Sequence, residues 1–178
     1  MSLTLESIMT QTLNLHAVCI PLFSASLKNL GSVLAKGEAN AKERGIDPAV
    51  FLASRLAPDM FALTRQVQIA TDNAKGMAYR LAGREVPAME DKETSFEELQ
   101  ARIAKVRDML NGFKAADFAG AEAREITLKL RSGEVKFSGI DYVTRFAIPN
   151  FFFHVTTAYD ILRHNGVPVG KPDFLGNR

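Results

Sequence analysis

Pro149-Asn-Phe-Phe-Phe-His154-Val-Thr-Thr-Ala-Tyr-Asp-Ile-Leu-Arg163-His-Asn-Gly166-Val-Pro168 is the stretch whose reading decides the fold. Pro149 suits a first helical position, where its missing N–H costs nothing. Gly166 is a helix stop, and Pro168 lies just beyond it, the order that helix C-termini prefer. Between them Asn150, His154 and Thr157 recur at i, i+4 and i+7 and so share one face. Ile161 continues that face. Polar groups on a face that enters a core need partners, or they cost roughly 1–3 kcal/mol each. Two readings of His154 follow: a buried imidazole satisfied by hydrogen bonds, or part of a polar or metal-binding pocket between helices. Phe151, Phe152 and Phe153 point in three directions around the helix, so some reach the core and one is left for a partner surface.

Working outward, the chain reads as more helices. Leu5, Ile8, Thr12, Leu15, Cys19, Phe23, Leu27, Leu30 and Leu34 recur at steps of three and four, predicting a helix from about Leu3 to Lys36. Pro21 within it predicts a kink near Ala17, and Gly37 and Gly45 then loosen the chain. Asp47-Pro48 is an N-cap followed by a first-turn proline, opening a short helix to about Leu56. Pro58 opens a longer one, with Phe61, Val67, Ala70, Ala74, Met77 and Leu81 facing inward and Gly83 ending it. Residues 84–94 read as a loop. Ser95-Phe-Glu-Glu98 is a capping box. After it, Phe96, Leu99, Ile103, Val106, Leu110 and Phe113 form the clearest amphipathic stripe in the chain. Ile126, Leu128 and Leu130, then Val135 and Phe137, alternate around Ser132-Gly133, the signal of a β-hairpin whose apolar side packs on the helices. Gly139 to about Ala147 reads as a helical turn or two, and the tail from Val167 to Arg178 as coil. The expectation is one all-α domain over 1–178: a four-helix bundle with a short hairpin before the last long helix.

Composition narrows the function classes. Of 178 residues, 22 are basic and 20 acidic, and the net charge of +2 is spread evenly, which argues against a nucleic-acid partner. The single cysteine, Cys19, excludes an internal disulfide framework and a Cys-rich zinc site. Central in a helix with no basic neighbour in sequence, it reads as a small buried hydrophobe. Glu6 precedes the first basic residue, Lys28, so no positively charged export segment is expected. The apolar runs fall short of the roughly 20 residues a membrane span needs. A cytoplasmic protein with no membrane partner is the expectation.

His154 followed by Leu162-Arg163, Gly166 and Pro168 resembles the last helix of the DinB/YfiT-like superfamily, whose members are four-helix bundles, many with a metal held by three His. In that pattern His154 falls at the second His of the last helix and Asn150 at the first. The segment 149–176, with Arg55-Leu-Ala-Pro-Asp59-Met-Phe, Arg65-Gln-Val and Arg80-Leu-Ala-Gly83, is similar to a bacterial branch of that superfamily without an assigned function. The resemblance spans essentially the whole chain. It implies a metal position in which Asn150 replaces a ligand, and Asn is a weak zinc ligand beside His, Cys or carboxylate. It also implies a third ligand from the second long helix, yet no His lies between 17 and 153. Asp59 and Gln66, seven residues apart, are the polar substitutes. Asp59 reads as a first-turn acid favoured by the helix dipole or as a pocket carboxylate facing His154. Gln66 reads as an amide tying two helices together, or as a pocket group.

The pocket candidates are therefore Asp59, Gln66, Asn150, His154 and Thr157, with Asp59, Asn150 and His154 as the set around any divalent metal. No metal is the favoured expectation, because one His and at most one carboxylate fall short of three protein ligands. His16 reads as a boundary residue beside the first helix's seam and His164 as a last-turn cation. Two function classes remain. One is a small-ligand-binding or structural protein with a degenerate metal site, expected as a homodimer. The other is a divalent-metal-dependent enzyme of the thiol S-transferase type.

Overall fold

The computed structural model describes residues 14–130 and 133–176, with the side chain of Leu130 outside that range. Helix α1 runs Leu15–Glu43, α2 Pro48–Ala53, α3 Leu63–Leu81 and α4 Phe96–Asn111. A 3-10 turn at Ala115–Phe118 leads to strands β1 (Ile126–Leu130) and β2 (Gly133–Phe137). Helix α5 (Gly139–Tyr142), a π-helical segment at Val143–Ala147 and α6 (Ile148–His164) follow, and α7 (Lys171–Leu175) closes the chain. The four long helices form a ring. Helix α1 packs on α4, α4 on α3, α3 most extensively on α6, and α6 back on α1. The ring order α1–α4–α3–α6 makes α3 and α4 the one sequence-adjacent pair of long helices that are also ring neighbours.

Helix α1 starts on an Asn14 cap, whose side chain accepts the Ala17 N–H at 2.9 Å. Its expected first turns, with Leu5, Ile8 and Thr12, lie outside the described residues. It ends at Glu43, about two turns beyond the expected Lys36, because Gly37 serves close packing instead of breaking the helix. A Cβ at residue 37 would stand 2.9 Å from Leu162 Cδ2, so the glycine lets α1 and α6 approach. The helix continues through Pro21, which lies exposed. By length and composition α1 could pass for a membrane span, with mean hydropathy 1.4 over 18 residues. That differs from the reading of short broken runs. Leu15, Cys19, Phe23, Leu27, Leu30 and Leu34 all stand in the bundle core.

Three further expectations are corrected at element ends. Residues 56–60 form bends and a turn, and α3 begins at Leu63, so Pro58 does not open the helix. Phe61 then falls before the helix and is 53% exposed, whereas Val67, Ala70, Ala74, Met77 and Leu81 are fully buried. Helix α6 starts at Ile148 with Pro149 in its first turn, as expected, but no break separates it from what precedes. The helical backbone runs on from α5 through the π segment, where the Ile148 N–H bonds to the Val143 carbonyl. The wider π turn absorbs the lattice bond that Pro149 cannot donate. The tail holds the short α7 where coil was expected. Lys36 Nζ pairs with Asp173 at 2.6 Å and Asn29 donates to the Phe174 carbonyl at 3.1 Å, pinning it to α1, while Asp173 caps Gly170 N–H at 2.9 Å.

The capping box at Ser95 forms in full, with Glu98 N–H on Ser95 Oγ at 3.1 Å and Glu98 Oε2 accepting from Ser95 N–H at 3.2 Å. The stripe from Phe96 to Phe113 is buried throughout. The hairpin forms as expected: Ile126 pairs with Phe137, Leu128 with Val135 and Leu130 with Gly133. Ile126 and Leu128 are buried, and Val135 and Phe137 half-buried. This register puts Gly133 in β2, and Ser132, expected in the turn, lies outside the described residues. Phe137, Tyr142 and Phe146 join the hairpin to the last helix, with Tyr142 and Phe146 stacked at 6.0 Å.

Candidate functional site between helices α3 and α6

Gln66 and His154 meet where α3 faces α6. Both are buried, Gln66 to 1% exposure and His154 to 7%. The Gln66 Nε2 donates to the Phe61 carbonyl at 3.0 Å, which fixes the amide so that Oε1 points to the imidazole. Oε1 lies 2.7 Å from His154 Nδ1. An amide oxygen can only accept, so Nδ1 carries the proton and the neutral ring keeps its lone pair on Nε2. Burial, with the Arg65 guanidinium nearby, pushes the His154 pKa down to about 4. The imidazole is neutral at physiological pH.

The other expected pocket residues do not join this pair. Asp59 is exposed in the turn before α3, not in a first helical turn, because the helix starts four residues later. No hydrogen bond or ion pair of Asp59 to His154 occurs among the described residues. Thr157 is buried, but its Oγ1 donates to the Phe153 carbonyl at 2.7 Å, satisfying itself within its own helix. Asn150, one turn before His154, is half-buried and lines a separate cleft of about 480 Å³ between α3, β1 and the π segment. The described residues hold no grouping of three or more His, Cys, Asp and Glu able to bind a metal. Of the three proposed ligands, His154 has its Nδ1 committed to Gln66, Asn150 is an amide and Asp59 is an exposed carboxylate, a donor set that fits zinc poorly.

That cleft contains what the sequence reading passed over. Asn73 is 8% exposed, and its Oδ1 is buried with no hydrogen-bond partner. Arg80 Nη1 donates to the Tyr142 hydroxyl at 3.3 Å. Gly76 makes room for that guanidinium, because a Cβ at residue 76 would overlap Arg80 Nη1. Asn73, Gly76 and Arg80 recur at i, i+3 and i+7, so the 3.6-residue period could have shown a polar face on α3.

A second buried polar system lies between α3 and α4. Arg102 of α4 donates from Nε to Thr71 Oγ1 at 2.7 Å and from Nη1 to the Glu90 carbonyl and Glu93 Oε1, each at 2.9 Å. Its Nη2 stands 2.9 Å from Asp72 Oδ1 and 3.0 Å from Asp91 Oδ1, an ion-pair distance although neither oxygen lies in line with its N–H bonds. Gln68 Nε2 completes the set on Glu93 Oε2 at 2.9 Å. Burial raises the Glu93 pKa, but the hydrogen bonds from Arg102 and Gln68 outweigh it and hold the carboxyl below its ordinary range. This system ties the 84–94 connection to the bundle.

The remaining candidates are structural. The Cys19 thiol is buried and, chiefly by burial with Glu122 adding to it, pushed up to about 12, far from a reactive thiolate. His16 Nε2 lies 3.0 Å from the Phe113 carbonyl, and its ring packs edge-on to Phe118. His164 is exposed in the last turn of α6.

Comparison with known proteins now places the chain. The model of a family described as a domain of unknown function, DUF1993, matches residues 15–175. The chain belongs to the DUF1993 family. Among solved structures it is similar to a DinB family member protein from Shewanella denitrificans, at 47% identity and a TM-score of 0.86. That likeness covers 91% of this chain and 92% of the other. Among curated proteins nothing matches. DUF1993 is thus represented here by a DinB-like, mostly helical bundle with a small hairpin before its last long helix.

Proposed function

We propose that this DUF1993 protein is a homodimeric small-ligand-binding bundle in which the DinB-type metal position is degenerate. The observation that carries it is the unpartnered, buried Oδ1 of Asn73 on the wall of the cleft shared with Asn150. A buried acceptor without a partner costs about 1–3 kcal/mol, a penalty that a ligand's donor would relieve. The volume, about 480 Å³, lies in the range of small-molecule sites. The test is a metabolite screen by NMR on tag-free protein, following the side-chain amides of Asn73 and Asn150. Shifts confined to the cleft support the reading. A screen in which no compound moves either amide overturns it.

One observation favours the metal-dependent, thiol S-transferase reading. A metal-binding His usually donates its other ring N–H to an oxygen, and the Nδ1–H to Gln66 contact has that form. Against it stands the absence, among the described residues, of two further ligands beside His154. Elemental analysis of the same tag-free protein separates the two readings. We expect no stoichiometric zinc, and zinc bound through His154 would restore the enzyme reading.

A further inference from the structure

Resting on the small-ligand reading above, we infer that the cleft between α3, β1 and the π segment takes a small carboxylate bearing a hydroxyl or amino donor on the neighbouring carbon. Two unmet needs on its walls define that class. The first is the Asn73 Oδ1, an acceptor with no donor to meet it. A ligand must therefore bring an O–H or N–H to that point. The second is positive charge. Arg80 is half-buried, and the only hydrogen bond of its guanidinium among the described residues is the one to the Tyr142 hydroxyl.

That bond is made by the guanidinium as donor, so the phenolic oxygen accepts and its own hydrogen remains free to donate into the cleft. The Tyr142 side chain is buried, and burial raises its pKa further, so the hydroxyl stays protonated. Asp72 also borders the cleft, but Lys75 at 3.0 Å and Arg102 at 2.9 Å hold its Oδ1, which limits its repulsion of an anion. Lys129 is largely in solvent, on the exposed side of β1. The interior thus offers one cation, fit for one negative charge, and a planar guanidinium pairs best with a planar carboxylate. A phosphate dianion would exceed the charge the walls can match.

Preorganisation supports a built site. Gly76 leaves the space that the Arg80 guanidinium fills, folded back along α3, and the stacked Tyr142–Phe146 pair holds the hydroxyl opposite. Asn73 and Arg80 on one helix thus face Tyr142 and Asn150 on the other side of the cleft.

The test uses the full chain and three probes of similar size: L-lactate, propionate, which lacks the donor, and propane-1,2-diol, which lacks the anion. Binding is read by the Asn73 and Asn150 side-chain amide shifts. We expect lactate to bind in the millimolar range, propionate more weakly, and the diol not at all. Arg80→Gln should weaken lactate roughly tenfold or more, the scale of one charge-assisted hydrogen bond. Asn73→Leu should reduce lactate to the affinity of propionate. If the diol binds as well as lactate, or Arg80→Gln leaves lactate unchanged, the class is wrong. No binding by any of the three probes also overturns the class. The broader small-ligand reading falls only if the metabolite screen is silent as well.

Discussion

His154 shows how far a single residue can be read from sequence. Its place at the second position of a DinB-like pair marked it, and the i, i+7 spacing of Asp59 and Gln66 offered it two partners. The structure supplies Gln66, because α3 starts at Leu63 and leaves Asp59 in the preceding turn. Nothing in the spacing could have told a first-turn proline from a turn proline at Pro58. Asn73 went unread because one polar residue among the many on α3 looks like surface until its neighbours are known. His154→Ala strands the Gln66 carbonyl oxygen, and we expect a loss of roughly 1–3 kcal/mol in urea unfolding. The folded pKa of about 4 lies below the ordinary 6.5, so the unfolded chain binds more protons between these values. The stability due to keeping His154 neutral is therefore complete above about pH 6.5 and is lost as pH falls toward 4. His154→Gln should flatten the part of the pH–stability profile between those values. Asn73→Leu removes the orphaned acceptor and keeps the volume, so we expect about 1 kcal/mol of added stability in the ligand-free protein. A melting temperature unchanged or lower for Asn73→Leu would mean that its oxygen has a partner after all.

Elements were legible where local chemistry is unambiguous. The Ser95 capping box, the Asp47-Pro48 start and the alternating hairpin arms need no knowledge of the rest of the molecule, and each forms. The failures sit where tertiary packing overrides local preference. Gly37 reads as a breaker but serves the α1–α6 contact, and Pro149 stands in the first turn of α6 as read but the helical backbone runs into it through a π segment. The 84–94 connection reads as a polar loop, and sequence alone gives no hint that Arg102 of α4 holds it. Removing that guanidinium leaves Glu93, Asp91 and Asp72 without their shared cation. We expect Arg102→Met to cost about 3–5 kcal/mol. Limited proteolysis should then cut first within 84–94. Cleavage that begins elsewhere would show that other contacts hold the connection.

The bundle as a whole was legible from four amphipathic stripes and a long third connection, but its association is a matter of surface. Phe153 is 56% exposed and borders a groove shared with Leu56 and Met60, beside the exposed Phe61. One of three consecutive phenylalanines was expected to stay out of the core for a partner, and Phe153 is the exposed one of the three. We expect a homodimer by light scattering at micromolar concentration, and Phe153→Ser to shift it toward monomer. The ring order α1–α4–α3–α6 has a kinetic meaning too. Only α3 and α4 can dock across a short connection, while α1 must find α4 and α6 must find α1 and α3 across long stretches of chain. Closing long loops costs entropy before any contact offsets it, so the α3–α4 pair should collapse first. Helices α1 and α6 would then be the last to arrive, with α7 locked onto α1 by Lys36–Asp173 and Asn29–Phe174. Pulse-labelled hydrogen exchange during refolding should protect the amides of 63–81 and 96–111 before those of 15–43 and 148–164.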